Sequence, residues 1–100
     1  MDKDLEHISV DFHNRAKNLF FSLFRDFNAS IERVDRNRDE YMFKQQREKY
    51  VNRLQQQLLM IAKETITKNQ AHQNIGQLSQ NLNHFIADYI HLFVQKVKAL

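Results

Sequence analysis

The sequence predicts an all-α fold: an up-down-up bundle of three long amphipathic helices, completed by homo-oligomerisation. Three observations carry this expectation. Proline is absent and glycine occurs once, at Gly76, in 100 residues, so the residues that punctuate strands and tight turns are missing. Apolar residues recur every three or four positions over three long segments, which is the period of a helix face. Two polar stretches separate those segments, and no internal repeat or compositional shift divides the chain, so residues 1–100 are read as one domain.

The first helix is expected over about 3–34. Leu5, Ile8, Phe12, Ala16, Leu19, Leu23, Phe27, Ile31 and Val34 form one stripe whose mean step is close to the natural helical repeat, so it should run nearly straight. Phe20, Phe21 and Phe24 form a second strip beside it. From Val34 to Glu40 the chain is polar, and Asp35, Asn37 and Asp39 are residues that cap helices or form turns. The second helix, about 39–68, starts at Asp39 and Glu40, whose negative charge suits the exposed N–H groups of a first turn. Its apolar positions are Tyr41, Phe43, Tyr50, Val51, Leu54, Leu58, Ile61 and Ile66, with Thr65 among them.

A second turn is expected near residues 69–74. The third helix, about 74–99, carries two adjoining stripes: Ile75, Leu78, Leu82, Phe85, Tyr89 and Leu92, then Ile86, Ile90, Phe93, Val97 and Leu100. A helix apolar on two faces packs against two neighbours. Three rods of one chain make a thin bundle, so Phe20, Phe21, Phe24, Ile86, Ile90, Phe93 and Val97 are expected to stay uncovered in a monomer and to form a protein interface, with a homodimer as the commonest solution. The competing arrangement breaks helix one near Ser9 or Asn28 and folds it back, giving four shorter helices.

Composition narrows the function classes. With 42% hydrophobic and 27% charged residues the chain is a folded globular protein. It has no cysteine, hence no disulfide or thiolate metal site. The first residues, Met1-Asp2-Lys3-Asp4-Leu5-Glu6, lack the basic-then-apolar pattern of a secretory signal, and no apolar run is long enough for a membrane span. A cytoplasmic protein without membrane contact is expected.

Candidate sites are few. Asp4 with His7, and Asp88 with His91, are Asp-x-x-His pairs on one helix face, and His84 shares the face of the second pair. Such pairs echo part of the carboxylate-histidine pattern of metal-bearing bundles. The remaining acids of that pattern are lacking, so neither a metal nor any other cofactor is expected. Seven basic residues lie between Arg33 and Arg53, of which Arg36, Arg38, Lys44, Arg47 and Lys49 make the alternative, a nucleic-acid-associated surface. Acidic residues interrupt them, with Glu32/Arg36 and Glu40/Lys44 at the spacing of intrahelical pairs. Nineteen residues from Asn69 to Ala87 contain no Asp, Glu, Lys or Arg, which fits either a docking surface or a polar turn leading into a buried helix.

Catalytic motifs are missing. There is no glycine-rich phosphate loop, nucleophile elbow or paired-histidine zinc motif, and Ser9, Ser22, Ser30 and Ser79 sit in helical context. The leading expectation is a non-enzymatic helical protein–protein interaction module.

Overall fold

The computed structural model describes residues 3–35 and 38–100, with side chains from Leu5 onward. Its elements are α1 (Lys3–Ile31), α2 (Glu40–Lys68) and α3 (Ile75–Lys98), with no strand among the described residues. Helix α1 passes without interruption through Ser9 and Asn28, so the fold-back arrangement with four short helices does not occur. It stops at Ile31, three residues before the expected end. There the Val34 N–H closes a tight turn onto the Ile31 carbonyl at 3.0 Å, and Val34 folds back onto the core.

The first connection ends on Asp39, which leaves the helical region at φ −130° and accepts a long hydrogen bond from the Met42 N–H at 3.4 Å. Its carboxylate and that of Glu40 lie beside the unpaired amides of the first turn, an arrangement that contributes about 0.3–1 kcal/mol. The second connection is also built from local bonds. The Asn69 side-chain amide donates to the Thr65 carbonyl at 2.8 Å, and the His72 and Ile75 N–H groups reach the carbonyls of Asn69 and His72. These bonds pair backbone groups that the end of one helix and the start of the next would otherwise leave open.

Gly76 takes no part in that turn. It lies one residue inside α3, its φ is negative, and a Cβ added there would meet nothing within 4 Å. Gly76→Ala should therefore stabilise the fold by about 0.5–1 kcal/mol, because alanine loses less backbone entropy on entering a helix. The check is the thermal midpoint, expected to rise by a few degrees. A fall would mean that the first turn of α3 needs a freedom that only glycine has.

Cross-helix contacts set the directions. Arg15 of α1 donates to Glu64 of α2 at 2.8 Å, and Phe27 packs on Tyr50 and Phe43, so early α1 meets late α2 and the pair is antiparallel. Phe12 meets Phe85 and Phe20 meets Phe93, so α1 and α3 run parallel. The result is a rod 54 Å long and 17 by 16 Å across. Its radius of gyration of 16.0 Å exceeds the ~13 Å of a compact chain of this length.

The buried positions are Phe12, Ala16, Phe20, Leu23 and Phe27 in α1 and Leu78, Leu82, Ile86, Tyr89, Phe93 and Val97 in α3. Both series step mostly by four with an occasional three, which matches the intrinsic helical repeat and keeps the buried line along the helix. A strict heptad drifts about 20° per repeat around such a helix. That drift accounts for Leu92, the last member of the expected first stripe of α3, being 53% exposed.

The core corrects the expected apolar surplus. Phe20, Ile86, Phe93 and Val97 are covered within the single chain, and Phe24 and Ile90 are half-buried against the same core. Phe93 is fully enclosed, its ring set edge-on to Phe20 and Phe24 and inclined against Phe27. Phe27, in turn, carries the aromatic packing on to Phe43 and Tyr50 of α2. The large rings fill the space a thin bundle would otherwise leave. Of the seven residues, Phe21 alone remains openly exposed, at 60%.

Candidate functional site

Helix α1 packs more extensively on α2 than on α3. The two parallel helices therefore leave an open groove between them, about 490 Å³ in volume and lined by Val10, His13, Asn14, Lys17, Phe85, Asp88, Tyr89 and Leu92. Toward the start of both helices a second hollow extends it along Leu5, Glu6, Ser9, Val10, Gln77 and Asn81. Phe21, one turn of α1 beyond Lys17, lies outside this lining, its ring edge-on to Phe20 with centroids 5.5 Å apart.

A hydrogen-bonded pair holds the floor. His13 Nδ1 lies 2.8 Å from the Tyr89 hydroxyl, and the imidazole packs against Phe85 with ring centroids 4.4 Å apart. Burial holds the His13 pKa below the usual histidine value, and the nearby Lys17 ammonium lowers it further. Burial also raises the Tyr89 pKa. At neutral pH the pair is thus an uncharged imidazole bonded to an uncharged phenol, which ties α1 to α3 without placing a charge on the groove floor.

Both walls include exposed apolar side chains. Val10 is 55% exposed on the α1 side and Leu92 53% on the α3 side, and Phe21 lies further along α1 at 60%. Among the described residues, no carboxylate lies within ion-pair distance of Lys17. Asp88 has only a long contact to His84, 3.7 Å, with both side chains mostly in solvent. Beyond Leu92, Lys96 covers the ring of Phe24 at 4.9 Å, closing that end of the apolar strip.

The other sequence candidates are scattered. Arg36 and the side chain of Asp4 lie outside what the structure describes, so the Asp4/His7 pair has no geometry to report. Arg38 is paired with Asp35 in the first turn. On α2, Lys44 and Arg47 occupy one flank, whereas Lys49 and Arg53 both lie over the Tyr50 ring, at 5.9 and 5.3 Å. His84 and Asp88 are brought near each other, but no group of three His, Cys, Asp or Glu side chains converges among the described residues. The uncharged stretch from Asn69 to Ala87 divides: Leu78, Leu82 and Ile86 enter the core, and Gln77 and Asn81, bonded to each other at 3.0 Å, line the groove's end.

Sequence reasoning passed over Val10, His13 and Lys17. A usable signal existed, since Val10, Lys17 and Phe21 repeat at helical spacing on a strip of α1 more than a third of a turn from its main stripe. No helix of the described residues is long and apolar enough to cross a membrane. Compared with known proteins, the chain matches no family model, no curated protein and no solved structure.

Proposed function

We propose that this chain is a non-enzymatic helical interaction module that docks the apolar face of another helix in the α1/α3 groove. The observation that supports the reading is the exposure of Val10 and Phe21 on α1 and of Leu92 on α3, each more than half exposed, beside a groove floored by Phe85, His13 and Tyr89. Isolated exposed apolar residues are ordinary on a protein surface. Exposed apolar side chains on both helices beside an aromatic floor suit the i, i+3, i+4 and i+7 positions of an amphipathic helix. Two parallel helices with a groove between them also lack only one or two helices of forming a conventional bundle.

The reading involves a protein partner and uses no cofactor. Site-specific photo-cross-linking tests it. A benzoylphenylalanine at position 21 should trap polypeptide, with adducts mapping by mass spectrometry to apolar helical segments. The same group at Gln56, on the exposed side of α2, should trap far less. Equal yields from the two positions would dispose of the groove as a docking surface.

A further inference from the structure

We propose that the helix pair seated in this groove belongs to a second copy of the same chain, related by a two-fold axis parallel to the rod, so that α1 of each copy lies over α3 of the other. The inference rests on the docking reading above and adds the identity of what docks.

The heights of the side chains along the rod carry it. His13 is bonded to Tyr89, Phe12 meets Phe85, and Phe20 meets both Tyr89 and Phe93. These contacts set Lys17 level with Asp88 and Phe21 level with Leu92, while Val10 stands close to the height of Phe85. Each wall of the groove is thus the complement of the other: an ammonium opposite a carboxylate, and an apolar side chain opposite an apolar side chain.

A two-fold axis along the rod exploits that relation. It brings Lys17 of each copy over Asp88 of the other, Phe21 over Leu92, and Val10 over the Phe85 region. The ion pair is formed twice, by symmetry. Among the described residues Lys17 makes no ion pair and Asp88 has only the long contact to His84, so both groups are available to a second copy.

The other closed arrangement is worse. A two-fold axis across the rod lays α1 on α1 in opposite directions, and overlap of the apolar strips is best when the axis passes midway between Val10 and Phe21. Lys17 sits close to that midpoint, so the two Lys17 side chains would stand only about 4–5 Å apart along the axis at 1.5 Å per residue. The two Asp88 carboxylates would face each other likewise. Like charges brought together at an apolar contact oppose association.

A charge-reversal cycle read by sedimentation over a dilution series is the test. The unmodified chain should dimerise reversibly. Lys17→Glu and Asp88→Lys should each weaken the dimer by about tenfold or more, since each creates like-charge contacts at two symmetric positions. The double variant, with both charges exchanged, should recover most of the loss. Both residues are exposed, and circular dichroism should show all three variants folded.

A chain that stays monomeric at every concentration overturns the second copy as occupant. If cross-linking from position 21 still traps a different polypeptide, the docking reading survives that result. A dimer indifferent to all three variants overturns the parallel two-fold arrangement. A dimer whose mass is also indifferent to charges placed at Phe21 and Leu92 removes the groove itself from the assembly.

Discussion

Replacing Phe93 by alanine should cost about 3–5 kcal/mol and take away most of the stability of the fold. The ring is fully enclosed and packs on Phe20, Phe24 and Phe27, so its removal forfeits the transfer free energy of the side chain and opens a cavity among rings on α1 that cannot all close in. A domain of this size has only about 5–15 kcal/mol to lose. At about 4–8 °C per kcal/mol for such a domain, the thermal midpoint should fall by at least ~12 °C. The measurement is the helical circular dichroism signal during heating. A drop of only a few degrees would place Phe93 at a surface that a partner covers, as the second apolar stripe of α3 by itself suggested.

Phe21→Glu should have the opposite profile. The side chain is 60% exposed and touches the core through its edge contact with Phe20, so stability should stay within about 0.5 kcal/mol of the unmodified chain. Docking should suffer far more. An aromatic anchor is lost and a carboxylate is set into an apolar contact, a change worth about 2 kcal/mol or more at the centre of an interface. The dissociation constant should therefore rise by about thirtyfold or more. Thermal melting and sedimentation on the same preparation separate the two effects. A large loss of midpoint would make Phe21 a folding residue, and an unchanged association would leave the groove inert.

The neighbouring residues Phe20 and Phe21 show how far periodicity reaches. Both are phenylalanine, both fall beside the same stripe, and both were expected to be uncovered in a single chain. Phe20 is 5% exposed and Phe21 60%. A helix turns 100° per residue, so adjacent rings point to different neighbours, and which one meets a helix depends on where α3 lies. Leu92 illustrates the same point on α3. Its place in a heptad stripe made it a core candidate, but the buried line follows the helix's own repeat and leaves it on the groove wall.

What the chain determined by itself is local. The spacing of apolar residues sets three helices, Asp39 marks the start of the second, and the polar residues from Asn69 to Asn74 make the turn before the third. Each depends on interactions within a few positions along the backbone, which is the range over which sequence pattern is informative. The groove is not local. The bond between His13 and Tyr89 joins positions 76 residues apart, and the matched heights of Lys17 with Asp88 and Phe21 with Leu92 exist only because α2 returns the chain so that α3 runs parallel to α1. Tertiary packing alone decided which aromatic rings the core would take and which would be left exposed.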